Sequence, residues 1–229
     1  MKVVVMQSNY IPWKGYFDLI ASADLFIFYD DVQYTKNDWR NRNIIKSLTG
    51  NLWLTIPCGP DINRLINEVR VDNLDWQRRH YDLIKRSYET APFWNYCSSL
   101  MEKIYLTTKW KFLSDLNMQI IQTISSKYLE LGTKFQSSSQ YNLKGKKQDR
   151  LLDLLEQVGA SKYITGPLAK NYLDEKKFEM QNIELFYLNY EEYLPYTQLY
   201  PPFDHKVSVL DLLVSEGPNA KQFLIHSGN

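Results

Sequence analysis

Three short segments near the start of the chain limit its fold more than anything else in it. Val3–Met6 is a β-branched apolar run, the mark of a buried strand. Gln7–Trp13 breaks it with Asn, Ser and Pro. A helix is then expected from Lys14, with Phe17, Ile20 and Ala21 on one face, ending before Asp24. Leu25–Tyr29 follows as a second strand, closed by Asp30-Asp31. Strand, helix and strand in so short a span make a βαβ unit, whose two strands must pair in parallel in one sheet.

Later segments extend the pattern. Asn51–Ile56 reads as a third strand stopped by Pro57, and Arg70–Val71 as a further short one. Helical spacing runs through Asp75–Tyr88, Asn95–Leu106 and Lys109–Leu131; the last carries Leu113, Leu116, Ile120, Ile121 and Ile124 on one stripe. Ser-rich Gln136–Gln140 reads as a loop. Gln148–Gly159 reads as a helix with a glycine stop, Ser161–Thr165 and Ile183–Tyr187 as strands, and Ser208–Ser215 as a helix capped by Ser208 and stopped by Gly217. The expectation is one α/β domain over residues 1–229, built on an open, mostly parallel, Rossmann-like sheet. It divides into an α/β part over about 1–75, a largely helical part over about 76–135 and a second α/β part over about 136–229.

Composition removes several functions. A net charge of +1 gives no field for nucleic acid or an anionic membrane. No run of ~18 apolar residues is present, so no membrane span is expected. Met1–Met6 is too short for a signal peptide. Cys58 and Cys97 lack metal-ligand spacing and there are only three His, so no metal is expected. The two cysteines could pair but nothing demands it, a reducing cytoplasm is the simpler reading, and Cys58 reads as packing. Aromatic residues make up 14%, which suits a pocket that stacks sugars or bases as well as a core.

Four stretches could carry chemistry. Gln7–Phe17 lies between the first strand and first helix, where open parallel sheets bind ligands. The helix start favours anions, Lys14 adds charge, and Tyr10, Trp13 and Tyr16 offer ring faces. Asp30–Asn43 is nearly all hydrogen-bonding side chains and begins at the carboxyl end of the second strand. His80 is a candidate general base at neutral pH. The C-terminal candidates are Tyr163–Pro167, Tyr196–Gln198 and Phe203–Ser208; Gly166 sits at a strand end and Ser208 at a helix start. Lys144-Gly145-Lys146-Lys147 reads as a solvated loop. Gly-x-Ser-x-Gly, Walker and Gly-x-Gly-x-x-Gly motifs are missing.

These segments together resemble the WbqC-like family of bacteria. The resemblance rests on Gln7, Tyr10, Pro12-Trp13, Gly15-Tyr16-Phe17, Ala23-Asp24, Asp30-Asp31-Val32-Gln33-Tyr34, Lys36, Trp39 and Asn41-Arg42-Asn43. It continues through Trp53–Pro57, Trp76, His80, Tyr88, Ala91-Pro92, Tyr163, Gly166-Pro167, Tyr172-Leu173, Gln198 and Ser208–Leu213, nearly the whole chain. Ser8 stands where that family favours proline, and Cys58 where an aliphatic residue is usual. A second likeness is to the nucleotidylyltransferase fold. Trp13-Lys14-Gly15-Tyr16 takes the place of its His-x-Gly-His turn, without either histidine, and Lys206-Val207-Ser208 is similar to its second phosphate signal.

The WbqC-like resemblance implies a role in the biosynthesis of O-antigen or other surface polysaccharide. The reaction it implies is transfer of a glycyl-like aminoacyl or other acyl group to an amino sugar, free or nucleotide-linked. Amide formation needs an activated carboxylate, so ATP or a pre-activated acyl donor is expected. In that scheme His80, Asp31 or Asp30 takes the ammonium proton, with Asp31 preferred to Asp30. Lys14, Lys36 and Arg42 hold phosphate or carboxylate. Gln7, Tyr10, Trp13, Gly15, Tyr16, Gln33, Tyr34, Trp39, Asn41, Asn43, Gly166, Gln198 and Ser208 complete the substrate site. The alternatives are a non-catalytic module binding a nucleotide-sugar or a partner, and a nucleotidylyltransferase-like enzyme.

Overall fold

A computed structural model describes residues 1–72 and 75–226. Strand β1 (Lys2–Met6) leads through helix α1 (Lys14–Ala21) to β2 (Leu25–Phe28), and the two strands pair in parallel with Val3 opposite Leu25 and Met6 opposite Phe28. An antiparallel hairpin follows, β3 (Arg42–Ser47) and β4 (Gly50–Thr55), standing apart from the main sheet. Then come α2 (Trp76–Tyr88), α3 (Trp94–Glu102) and α4 (Leu113–Thr123). The chain re-enters the sheet at β5 (Lys134–Ser137) and continues through α5 (Lys147–Gln157), β6 (Lys162–Thr165), α6 (Glu175–Met180), β7 (Glu184–Tyr187) and α7 (Val209–Glu216).

The five parallel strands lie in the order β5-β2-β1-β6-β7. The chain thus steps outward from β1 to β2 and β5, then returns to the other side of β1. That reversal places a topological switch point between the carboxyl ends of β1 and β6. Right-handed crossovers in the two directions put their helices on opposite faces. Alternation along each strand divides the core accordingly. Val3, Val5, Leu25 and Ile27 pack with Leu152 and Leu155 of α5 and Phe178 of α6. Val4, Phe26 and Phe28 face the larger layer, with Phe17 and Ile20 of α1, Leu116 and Ile120 of α4 and Leu212 of α7. Each fully buried side chain of this kind contributes roughly 1.5–3 kcal/mol.

The structure departs from the sequence reading in several places. Residues 134–137, partly inside the stretch read as a loop, form an edge strand beside β2. Edge strands keep one side wet, so only Phe135 here needs to be apolar. The polar run ending at Asn43 turns into β3, whose partner β4 was the expected third strand. The helix expected from Lys109 begins at Leu113, because Phe112 is extended and bridges Arg70. Past Thr123 it loosens into one wider turn over Ile124–Tyr128. Arg70–Val71 makes only that bridge, and α6 was not foreseen.

Candidate functional site

The loop after β1 is held by the polar run after β2. Asp30 accepts the Ser8 N–H at 2.7 Å and the Ser114 hydroxyl, and burial raises its pKa. Proline at position 8 could not make the first of these bonds, so Ser8 is tethered. Arg40 donates to the Gln7 side chain, and the Tyr10 N–H donates to the Trp39 carbonyl at 2.9 Å. Asn43 Nδ2 donates to the carbonyls of Tyr10 and Ile11, both at 3.0 Å. Ile11 has φ of 37°, a conformation that costs about 1–3 kcal/mol for a side chain of this type and persists only where the surroundings impose it. The dense polarity of Asp30–Asn43 is therefore largely bracing.

Two cavities open at the carboxyl edge of the sheet, on either side of this braced loop. The first, about 490 Å³, is lined by Asn9, Pro12, Trp13, Trp39, Asn43, Ile44, Leu168, Asp204 and Lys206. Both N-terminal loops contribute to it, and the other half arrives two residues after Gly166 and just before Ser208. Trp39 is 44% exposed and stacks on Trp53 with ring centroids 5.7 Å apart, while the Arg42 guanidinium lies 4.5 Å over the Trp53 ring. Trp13 is steadied edge-on by Tyr190 and Tyr193. The Oδ1 of Asn9 is buried without a partner. Asp204 takes the Asn51 amide at 3.0 Å and the Lys206 N–H at 2.8 Å, which leaves each carboxylate oxygen further accepting capacity.

Asp204 and Lys206 are delivered by a strap, residues 188–207, that runs between β7 and α7 without helix or strand. Tyrosines staple it down. Tyr193 donates to Asp18 at 2.8 Å, Tyr196 to Asp211 at 2.8 Å and Tyr200 to the Ser87 carbonyl at 2.9 Å. Gln198 clamps the strap end, donating to the Asp204 carbonyl and accepting from its N–H. Structureless connections of this length are uncommon in compact domains and usually functional.

The second cavity, about 750 Å³, lies over the switch point. Val5, Met6 and Gln7 of the β1 end, Tyr163 and Thr165 of β6, Tyr29, Leu151, Tyr172 and Leu173 form its walls. Lys146, Lys147, Gln148 and Asp149 at the start of α5, and Lys177 of α6, complete it. A smaller hollow of about 310 Å³ lies by Tyr34, Lys36, Asn41 and Cys58.

The three candidate proton acceptors of the sequence line none of these cavities. His80 is 3% exposed; Tyr10 Oη meets its Nδ1 at 2.7 Å and Tyr105 Oη at 2.6 Å, and burial pulls the imidazole pKa down to about 4. Asp30 braces Ser8. Asp31 is paired with Arg150 at 2.6 Å and accepts from Ser138. Lys14 is buried too, bonded to the Leu194 carbonyl at 3.1 Å over the rings of Tyr193 and Tyr196, and burial lowers its pKa to about 8 against the pull of Asp18. Tyr10 and Tyr16 are core residues, Tyr16 donating to the Gln7 carbonyl at 2.9 Å. Gln33 is exposed and donates to the Ile62 carbonyl. Ser208 caps α7 and donates its N–H to the Ile44 carbonyl at 2.8 Å. Among the described residues no group of His, Cys, Asp or Glu has a metal-binding arrangement, and no helix is long and apolar enough to cross a membrane.

The sequence of the whole assembly, from the braced loop to α7, matches the WbqC-like protein family over residues 7–223. The chain belongs to the WbqC-like family. It is also 40% identical, over 225 residues, to the uncharacterized protein Rv1507c of Mycobacterium tuberculosis, with 97% of each chain covered. No solved structure matches it. In this WbqC-like chain Trp13, Trp39 and Asn43 line the aromatic cavity, whereas Tyr10, Tyr16, Asp30 and His80 lie in the core. Asp204 falls within the candidate stretch Phe203–Ser208 without being singled out there, and Lys146-Lys147 read as part of a solvated loop. The available signal was position: one precedes the Ser208 cap, the other opens a helix that feeds a strand next to β1.

Proposed function

We propose that this chain is a cytoplasmic transferase of surface polysaccharide (O-antigen) biosynthesis, joining an aminoacyl or other acyl group to an amino sugar, free or nucleotide-linked. The observation that carries this reading is the aromatic cavity, which pairs indole walls with unfilled hydrogen-bond acceptors. A pyranose ring stacks its C–H face on Trp39, whose other neighbour is Trp53. Asn9 Oδ1 and the Asp204 carboxylate accept from the sugar's ammonium and hydroxyls. Asp204 orients the amine. The ammonium gives one proton to solvent, the amine nitrogen attacks the acyl carbon, the bond from that carbon to its activating group breaks, and the nitrogen's second proton leaves with that group or to water. ATP or a pre-activated donor supplies that activation. Positioning of this kind accounts for a large part of a barrier without a strong base.

One specific observation favours a second reading, a non-catalytic sugar-binding module: His80, Asp30 and Asp31 all sit away from the cavity. Mass spectrometry separates the two. Purified protein is incubated with amino sugars, their nucleotide-linked forms, ATP and acyl donors. The transferase reading expects a sugar product heavier by the acyl group, formed by the wild type and reduced ~10²-fold in Asp204→Asn, the scale of a lost positioning contact. Tight sugar binding with no product under any donor would leave only the binding module.

A further inference from the structure

We propose that the cavity at the switch point between β1 and β6 binds the polyphosphate of a nucleotide. Ligands of open parallel sheets settle in the crevice where the strand order reverses, outside the carboxyl ends of the strands. Here that crevice holds a cavity of about 750 Å³, within the usual size of a cofactor site. Its chemistry is divided. Val5, Met6, Leu151 and Leu173 make an apolar floor, and Tyr29 and Tyr163 add ring faces. Lys146, Lys147 and Lys177 stand at the rim. The one carboxylate in the cavity lining, Asp149, is held by Lys177 at 2.7 Å, and among the described residues no ion pair engages Lys146 or Lys147.

The backbone favours the same ligand. No side chain caps α5; the Asp149 N–H donates to the Lys146 carbonyl at 3.1 Å, and among the described residues the Lys147 and Gln148 N–H groups are left for an anion. Gly145 precedes that turn with φ of +81°, and a Cβ there would come within 3.2–3.3 Å of Asp149 and Arg150, so the chain hugs the helix start as only glycine permits. Tyr29 is fixed from behind by the Arg150 guanidinium, 5.0 Å over its ring, and Arg150 is itself held by Asp31. Asp31 thus acts on this cavity as a positioning residue. An apolar, ring-lined floor under a lysine rim matches a nucleoside polyphosphate: the base and ribose on the floor, the phosphates at the rim.

The inference stands without the acyl-transfer reading. The shared chemistry has two sources, the diphosphate of a nucleotide-linked sugar or a separate activating nucleotide. The test is calorimetric titration of the full chain with inorganic pyrophosphate, ATP and UDP, beside the double variant Lys146→Gln/Lys147→Asn. Asparagine suits the left-handed backbone of Lys147, whose φ is 51°. Both lysines are exposed, so thermal unfolding should be unchanged. The wild type should bind pyrophosphate saturably, and the variant should bind it at least about tenfold more weakly, the worth of a lost charged hydrogen bond. Tighter binding of UDP than of ATP assigns the site to a nucleotide-sugar, and the reverse to an activating nucleotide; either supports the proposal. Absence of saturable binding of all three probes at millimolar concentration, or equal affinity in the folded variant, overturns it. Free glucosamine, which carries no phosphate, reports on the aromatic cavity in the same experiment, so the two sites fail separately.

Discussion

Gly15 lies directly against the indole of Trp13: a Cβ on it would meet the ring at 2.3 Å. The first turn of α1 can therefore carry no side chain at that position while Trp13 keeps its place in the aromatic cavity. Gly15→Ala should push the ring away from Tyr190 and Tyr193 and cost about 1–3 kcal/mol, the range for forcing atoms into a packed site. Urea unfolding measures the cost, and the tryptophan emission of the folded variant should shift.

His80 makes the domain weaker in acid. Burial lowers its pKa from 6.5 to about 4, so between those values the unfolded chain takes up a proton that the folded one refuses. Stability should fall as pH drops through this window, by up to about 3 kcal/mol. Asp30 and Asp211 act in the opposite sense, because burial raises both and their folded forms hold protons longer as pH rises. Comparing wild type with His80→Gln removes their contribution. The difference in unfolding free energy between the two proteins should change with pH between 7 and 4; a constant difference would show that His80 titrates normally.

Both thiols are buried, and burial pushes Cys58 up to about 11 and Cys97 up to about 12. At pH 8 roughly a thousandth or less of either is thiolate, the reactive form. An aromatic disulfide reagent should label the native protein slowly and the urea-unfolded protein at once. Cys58→Ser and Cys97→Ser should keep turnover within a few fold, as small packing changes away from the chemistry do.

How far the sequence reveals this molecule depends on how local each determinant is. β1, α1 and β2 were legible because a β-branched run, a helical stripe and a second apolar run each declare themselves within a few residues. β5 was not, since Lys134, Gln136 and Ser137 become a strand only by pairing with β2. β3 hid in Asn41-Arg42-Asn43, whose polarity serves to brace the loops and to stack on Trp53. The same holds for the sites. Of the ring faces read at the sheet edge, Trp13 lines the aromatic cavity together with Trp39, whereas Tyr10 and Tyr16 lie in the core. His80 and Lys14 carry suitable chemistry, but tertiary packing sinks both, and a spacing pattern does not show that. Asp204 reaches its cavity on a strap whose course is set by Tyr193, Tyr196 and Tyr200.

The aromatic cavity is the centre of the account, and titration of a nucleotide-linked amino sugar into wild type and Trp39→Ala, side by side in a calorimeter, tests it most directly. Trp39 is 44% exposed, so its loss should leave the fold intact. The expected result is saturable binding by the wild type and affinity about tenfold lower or worse in Trp39→Ala, the ~1.4 kcal/mol of a lost ring-stacking contact. Equal affinity in the two proteins would place the sugar elsewhere and contradict the account.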